Sequence, residues 1–206
     1  MIAKNTRSKR PQLCSPLGIV KRRKKLEMVS ASHLHNFMID DCLVDWLKLK
    51  ARPGTRKSPA YGTSNDFTTF IMHKGVDFEH ELVKFIDNTI LPVTTVSQYL
   101  TDEACQKTIE YMTEGKPLIY SAPVKNTKTN TQGIIDLLVR SDIIHQLIED
   151  TPLTSQEASF GSPLLNHNFH YIVVDIKFST LPLRADGKHL LNSGHYPAYK
   201  AQTYIY

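Results

Sequence analysis

The chain has 206 residues, 41% of them hydrophobic and 22% charged, which is enough apolar material for one domain with a core. No apolar run approaches the length of about 18 residues that a membrane-spanning helix needs. Polar and charged residues follow Met1 where a secretory signal would have an apolar stretch. The composition therefore argues against a membrane protein and against a secreted one.

Three cysteines, Cys14, Cys42 and Cys105, lie far apart in the chain. An odd number at such spacing does not form a disulfide framework, so we expect an intracellular, reducing environment. The set is also one thiolate short of the four that a structural zinc or iron–sulfur site uses.

The positive charge is concentrated at one end of the chain. Of 25 Lys and Arg residues, nine fall in residues 1–25 without any acid, which leaves 16 basic against 20 acidic residues in 26–206. The tail therefore carries about +9 and the remainder about −4. A domain that binds nucleic acid through bulk charge is usually basic, so this one must rely on local placement of charge or on a metal ion.

Residues 1–27 are predicted to be a disordered basic tail, followed by one domain over 28–206. The run KRRKK at 21–25 is typical of a nuclear localisation signal, which would make a nuclear import receptor a partner. The alternative is a solvated tail that adds affinity for polyanions, in a protein of the cytoplasm. The residues leave both interpretations open.

Two helical regions are predicted to begin the domain. Ser32 is expected to cap a helix whose apolar positions recur at three- and four-residue steps as far as Leu47. Residues 52–65 read as a loop because of their Pro, Gly and Ser content. Asp66 is expected to cap the second helical region, which reaches about Ile90 and contains GVDFEHELVKFI.

Strands dominate the rest of the chain. VTTV after Pro92, PLIYSA, GIIDLLVRS at 133–141 and the stretch from Tyr171 to Phe178 are predicted strands. A helix over 101–115 has Thr101 as its cap and Gly115 as its stop. The 142–170 connection is long enough to be a lid or a flexible insertion. YPAYKAQTYIY closes the chain as a helix. This order predicts an α/β fold with a central mixed sheet of about four strands flanked by helices.

Two of these strands carry acids among apolar neighbours. Asp136 lies inside GIIDLLVR, and Asp175 ends YIVVD. Such carboxylates are costly unless they are compensated, and two of them can share one hard cation such as Mg²⁺ or Mn²⁺. Lys177 leaves the same strand face as Asp175, while Ile176 points into the core and its backbone carbonyl remains free to help bind metal. A simple Asp–Lys ion pair at the strand end is the alternative.

A third carboxylate comes from the second helical region. Glu79 borders an apolar stripe formed by Phe78, Leu82, Phe85 and Ile86, so it can lean over the site from an anchored helix. Glu81 competes for this role, and a solvated helix acid is the alternative for both.

These residues together resemble the RecB-type branch of the PD-(D/E)XK nuclease superfamily, which includes phage-type and CRISPR-associated exonucleases. The family pattern is a helix with G-x-x-x-E or G-x-x-x-H, a strand Asp, then (D/E)-x-K, then a helix with Q-x-x-x-Y. The chain matches it in order over about residues 30–206, with PLIYSA similar to the first sheet strand. The matching residues are Gly75 with Glu79, Asp136, Asp175-Ile176-Lys177, and Gln202 with Tyr206.

The resemblance implies a restriction-endonuclease-like α/β/α core that binds Mg²⁺ or Mn²⁺ and cleaves DNA. It implies that Gln202 and Tyr206 contact the DNA backbone or position the nucleophile. Lys200 on the same helix touches phosphate or is merely solvated. The implied metal ligands are Glu79, Asp136, Asp175 and the carbonyl of Ile176, and the implied catalytic residues are Glu79, Asp136, Asp175 and Lys177.

Two features depart from the family pattern. Many relatives carry His where Glu79 stands, a choice linked to manganese preference. Some relatives hold an iron–sulfur cluster on four cysteines, and although Cys42 lies near the first position, the C-terminal set is absent, so the cysteines present do not support a cluster. Because the chain stops inside its closing helix at Tyr206, we expect it to be a fragment of a longer protein.

The expected function is a metal-dependent DNA nuclease that hydrolyses phosphodiester bonds, with an exonuclease of recombination, repair or replication favoured by the resemblance. Two alternatives remain. One is a non-catalytic nucleic-acid-binding module with a decayed nuclease fold, and the other is a nuclease that acts on RNA or on branched DNA. The sequence indicates no particular protein partner beyond the import receptor.

Overall fold

The computed structural model describes residues 28–43, 45–46, 65–150, 153–180, 182–189, 191 and 196–206. The predicted basic tail over 1–27, with its KRRKK run, and almost all of the predicted 52–65 loop lie outside these ranges. Within them, no helix is both long enough and apolar enough to cross a membrane.

A mixed sheet forms the centre of the described structure. Its order is β1-β4-β3-β2, and β5 also pairs with β4. β3 and β5 run antiparallel to β4, whereas β1 pairs with β4, and β2 with β3, in parallel. The predicted α/β fold with a mixed sheet of about four strands is confirmed. The strands are β1 (Val29–Ser30), β2 (Val93–Thr95), β3 (Leu118–Asn126), β4 (Thr131–Arg140) and β5 (Tyr171–Val174).

Three of the described helices begin at a residue whose side chain accepts from a free backbone amide of the first turn. Thr101 caps one helix by accepting from the Ala104 amide, as predicted, and Gly115 follows that helix with a φ of 73°. Asn65, rather than the expected Asp66, caps the long helix. The α-helices are α1 (His35–Met38), α2 (Asp66–Thr89), α3 (Asp102–Thr113), α4 (Ser155–Ala158) and α5 (Tyr196–Ile205).

The predicted helix from Ser32 to Leu47 is wrong as a continuous element. A 3₁₀ turn over Ala31–Leu34 leads into α1, and Asp40 then takes a left-handed φ of 59°. The side chain of Asn36 donates to Asp45 across this break. Asn and Asp side chains compete with helical hydrogen bonding, and this competition outweighs the apolar periodicity here.

Two apolar clusters cover opposite faces of the sheet. We call them the α2-side cluster and the α3-side cluster, after the helix that packs against each face. Adjacent residues Leu118 and Ile119 fall into different clusters, as expected for alternating strand residues. The buried members of the α2-side cluster are Val83, Ile86, Leu118, Tyr120, Leu137, Val139 and Ile144, and those of the α3-side cluster are Ile119, Ala122, Ile135 and Leu138.

The alternation changes phase in the middle of β3 and β4. Leu118 and Tyr120 belong to the α2-side cluster, but the next even-numbered residue, Ala122, belongs to the α3-side cluster. Between them, Ser121 has a left-handed φ of 51°, and the strand pairing skips Ser121 and its opposite residue, Asp136. The irregular position of the sheet therefore coincides with a carboxylate that the sequence singled out.

β5 is shorter than the predicted strand from Tyr171 to Phe178. It ends at Val174, so Asp175, Ile176 and Lys177 lie just beyond its paired residues. The segment that follows β5 leaves the sheet beside the centre of β4, because Val174, the last residue of β5, pairs with Leu137.

The described part of the long connection after β4 is packed rather than open. The hydroxyl of Ser141 donates to the Ala158 carbonyl at 2.7 Å and accepts from the His170 amide at 3.1 Å. Leu165 and Phe169 are buried. These contacts hold the two ends of the connection together, so they do not support a lid.

Candidate functional site

Three charged side chains meet where β4 and the end of β5 lie side by side. The Nζ of Lys177 donates to Asp175 Oδ1 at 2.7 Å and lies 3.9 Å from Asp136 Oδ2. The Asp175 side chain is only 7% exposed, against 20% for Asp136 and 30% for Lys177. The Asp–Lys ion pair of the alternative interpretation is thus present, and it forms part of a larger half-buried cluster.

The carboxylate of Asp136 is fixed by the backbone of the neighbouring segment. The Ile176 amide donates to Asp136 Oδ2 at 2.8 Å. Burial raises the pKa of Asp136 to about 6, and the charges of Asp175 and Glu79 act in the same direction, against the lowering effects of this hydrogen bond and of Lys177. The surroundings of Asp136 therefore disfavour the charged form of its carboxylate.

Lys177 is held as a cation. Burial by itself lowers its pKa, but the hydrogen bond to Asp175 and the attraction of Asp175 and Asp136 outweigh burial, so the pKa lies above its usual value. The Nζ also lies 5.8 Å from the centre of the Tyr199 ring. A lysine in this state stabilises negative charge and does not serve as a base.

The closing helix brings its two predicted residues to the same cluster. Gln202 Nε2 donates to Asp175 Oδ1 and to the Tyr206 hydroxyl, both at 3.3 Å. The Tyr206 ring lies so close to Gly133 that a Cβ there would come within 2.2 Å of the ring. Lys200 is exposed on the same helix.

Glu79 approaches from α2. Its Oε1 accepts from the Tyr120 hydroxyl at 2.8 Å, and its charge is among those that raise the pKa of Asp136. Glu81, its competitor in the sequence, points elsewhere: its side chain is 76% exposed and lies 3.9 Å from Lys84. The geometry selects Glu79 over Glu81.

Burial of the Tyr120 phenol raises its pKa above the ordinary value, and the hydrogen bond and charge of Glu79 add to this effect. Tyr120 is therefore a neutral hydrogen-bond donor at the edge of the site.

The oxygen donors suit a hard divalent cation in chemistry, since they are two adjacent carboxylates with the Ile176 backbone beside them. The described ranges contain no group of three or more His, Cys, Asp or Glu side chains placed so as to hold a metal ion. Glu79 instead engages Tyr120, and Asp175 engages Lys177 and Gln202. Asp136 and Asp175 are thus the carboxylates that lie together, with the Ile176 amide donating to Asp136.

Comparisons with protein-family models, with curated proteins and with solved structures found no match for this chain.

Sequence reasoning missed two residues that the site contains. In the sequence, Tyr120 is an aromatic residue of the kind common in a buried strand such as PLIYSA, and Ser121 is an ordinary polar residue beside it. No local pattern distinguishes them, because Tyr120 contacts Glu79, 41 positions away, and Ser121 lies opposite Asp136 where the pairing of β3 with β4 is interrupted.

Proposed function

We propose that the chain is a metal-dependent nuclease that hydrolyses phosphodiester bonds of DNA, with an exonuclease of recombination, repair or replication as the favoured form. The observation that carries the proposal is the meeting of Asp136, Asp175 and Lys177 within one half-buried cluster. Gln202 joins that cluster from the closing helix. Two carboxylates with an adjacent cation are what metal-assisted phosphodiester hydrolysis requires.

In this proposal Asp136, Asp175 and the Ile176 carbonyl hold Mg²⁺ or Mn²⁺, with Glu79 as the fourth donor. When bound, such an ion supplies Lewis-acid chemistry that neutralises charge on the reacting phosphoryl group. A divalent cation would also stabilise the ionised form of Asp136, whose pKa is raised mainly by burial and further by the charges of Asp175 and Glu79.

The other residues orient groups and carry charge. The Lys177 ammonium faces the same space as both carboxylates and stabilises negative charge that develops on phosphate oxygens. The Ile176 amide fixes Asp136, and Gln202 fixes Asp175. Tyr206, whose hydroxyl accepts from Gln202, and Lys200, exposed on the same helix, contact the DNA backbone.

A cleavage assay on end-labelled linear DNA with Mg²⁺ or Mn²⁺ tests the proposal. We expect Asp136→Asn, Asp175→Asn and Lys177→Met each to lower the cleavage rate by at least about 100-fold, since each removes a group that holds or stabilises charge at the reacting centre. Lys107→Met is the matched control, because Lys107 also forms an ion pair, with Glu110 on α3, but outside the cluster.

Equal cleavage by the wild type and by all three site variants would overturn the proposal. Thermal unfolding of each variant separates lost chemistry from lost structure. Closed circular DNA, single-stranded RNA and branched DNA in the same assay distinguish an exonuclease from a nuclease of another substrate class.

A non-catalytic nucleic-acid-binding module is the second candidate. Two observations favour it. Glu79 and Asp175 already have protein partners, and the described residues include no three His, Cys, Asp or Glu side chains placed so as to hold a metal ion. This candidate predicts no site for Mn²⁺. Calorimetric titration with Mn²⁺ of the wild type and of Asp175→Asn decides between them, because the nuclease binds the ion and the variant binds it more weakly.

A further inference from the structure

We propose that Tyr120 is a positioning residue that holds Glu79 in place for the site, through the hydrogen bond from its hydroxyl to Glu79 Oε1. This inference rests on the proposed nuclease function and adds to it a residue to which the sequence motifs assign no role.

The contact joins two different layers of the molecule. Tyr120 lies on β3 in the sheet, Glu79 lies on α2, and the donor and acceptor atoms are 2.8 Å apart. A glutamate side chain has three rotatable bonds, so a free Glu79 would sample many positions. A single hydrogen bond from a fixed donor restricts it to those in which Oε1 faces the sheet.

The donor itself is rigid. Tyr120 is 7% exposed and is a member of the α2-side cluster, so packing fixes the ring while the hydroxyl reaches out of the core. Partners that are themselves held by packing are the ones that orient a functional side chain effectively.

The strand register places this donor beside the rest of the site. Tyr120 pairs with Leu137, the neighbour of Asp136, and the change of phase at Ser121 turns Ala122 toward the opposite face. Tyr120 is thus the last buried β3 residue of the α2-side cluster before the sheet changes face. Its hydroxyl is in position to direct Glu79 toward Asp136. The charge of Glu79 is one of the causes that raise the pKa of Asp136, after burial.

The test uses Tyr120→Phe, which removes only the hydroxyl, together with Glu79→Gln and the double variant. We expect Tyr120→Phe to lower kcat on linear DNA by about 10-fold, with KM within twofold of the wild type, because supporting contacts of this kind typically change activity or metal affinity by 10–100-fold. In the double variant, loss of the hydroxyl should have no further effect, since Tyr120 acts only through Glu79.

Mn²⁺ binding gives a second readout that does not depend on turnover. By calorimetry, Tyr120→Phe should weaken Mn²⁺ binding by about 10-fold, and the double variant should match Glu79→Gln. Tyr171→Phe is the matched control. Tyr171 donates a half-buried phenol hydrogen bond to the Lys116 carbonyl at 2.6 Å, so its loss affects stability but should leave kcat and Mn²⁺ affinity unchanged.

The outcomes separate the two proposals. A wild type that neither cleaves DNA nor binds Mn²⁺ overturns both. If the wild type cleaves DNA and Tyr120→Phe equals it, or if the effects of Tyr120→Phe and Glu79→Gln simply multiply in the double variant, the positioning role is overturned and the nuclease proposal stands. An equal loss of kcat in Tyr171→Phe also overturns the positioning role, because it would mark a general loss of structure.

Discussion

At the scale of single residues, the charged form of the Asp136 carboxylate is destabilised by its surroundings. Its Oδ2 accepts from a backbone amide, and a lysine lies 3.9 Å away, yet burial still raises its pKa to about 6. The compensation that the protein supplies is therefore incomplete. A site built to receive a cation is expected to have this property in the absence of the ion.

Asp136 makes the stability of the metal-free protein depend on pH. Because its pKa in the folded chain is about 6, against 3.8 ordinarily, the folded state binds its proton more tightly, and the associated stability is present below about pH 4 and is lost as pH rises through 6. Relative to Asp136→Asn, the wild type should lose up to roughly 3 kcal/mol of unfolding free energy between pH 4 and pH 7. Urea denaturation in EDTA measures this difference. A constant difference across that range would contradict the prediction.

Ser121 makes a second prediction at this scale. Its φ of 51° is unfavourable for any residue with a Cβ, and its hydroxyl donates to the Ser97 carbonyl at 3.0 Å. Ser121→Ala and Ser121→Gly both lose that hydrogen bond, but only Ala keeps the backbone strain. We expect the Gly variant to be the more stable by about 1 kcal/mol, the reverse of the usual order in a strand.

Chemical denaturation of both Ser121 variants provides the measurement. An Ala variant that is as stable as the Gly variant, or more stable, would show that the left-handed conformation at Ser121 carries no strain.

At the scale of elements, the site depends on how closely α5 approaches β4. The Tyr206 ring lies over Gly133, and any other residue there would force the ring to move, since a Cβ would come within 2.2 Å of it. A second residue that is unusual in a strand, Pro123, is fully buried in β3. Proline has no backbone N–H to donate, but β2 pairs with Leu118–Tyr120 and not with Pro123, so no hydrogen bond to β2 is lost.

Gly133→Ala should therefore displace Tyr206 and break its 3.3 Å contact with Gln202. Because a ring at the end of a side chain can move, we expect a stability loss of no more than about 1 kcal/mol. Under the proposed function, cleavage of linear DNA should fall by the same factor as in Tyr206→Phe. Gly75→Ala is the control: its Cβ would meet only the Cβ of Phe178 at 3.8 Å, and replacing a helical glycine should stabilise α2 by about 0.5–1 kcal/mol.

A fully active Gly133→Ala variant, together with a weakened Tyr206→Phe, would show that the ring does not need its place over Gly133. A destabilised Gly75→Ala variant would show that the surroundings of α2 are tighter than the described contacts indicate.

At the scale of the whole molecule, charge and chemistry are divided along the chain. Residues 1–25 carry nine basic residues and no acid, while the remainder, which contains every proposed site residue, has more acids than bases. An acidic domain repels DNA at long range. Under the proposed function, we therefore infer that residues 1–25 supply most of the long-range attraction to DNA, while the residues that cleave it lie in the domain.

Deletion of residues 1–27 tests this division. We expect weaker DNA binding and a smaller dependence of the binding constant on salt concentration, because fewer counterions are released when fewer phosphates are neutralised. Under the proposed function, the cleavage rate at saturating DNA should stay within about twofold of the full chain. Binding titrations between 50 and 200 mM salt, with single-turnover cleavage alongside, measure both effects. An unchanged salt dependence would place the DNA contacts in the domain.

The sequence by itself determined most of the elements of this protein. The strands at VTTV, PLIYSA and GIIDLLVRS, the cap at Thr101 and the stop at Gly115 follow from local preferences that the sheet and helices only reinforce. The proximity of Asp175 and Lys177 also follows from local spacing, because alternate residues of an extended segment share a face. The continuous first helix is wrong because the left-handed turn at Asp40 and the hydrogen bond from Asn36 to Asp45 interrupt it, and apolar periodicity does not reveal them.

Only the tertiary structure decided which distant residues meet. The pairing of β4 with β5 brings Asp136 to Asp175, the packing of α2 selects Glu79 over Glu81, and α5 delivers Gln202. The pairing of β3 with β4 contains the phase change at Ser121 and sets Tyr120 opposite Leu137, the neighbour of Asp136. Such contacts join residues tens of positions apart and arise from burial of two sheet faces at once, so no local pattern in the sequence encodes them.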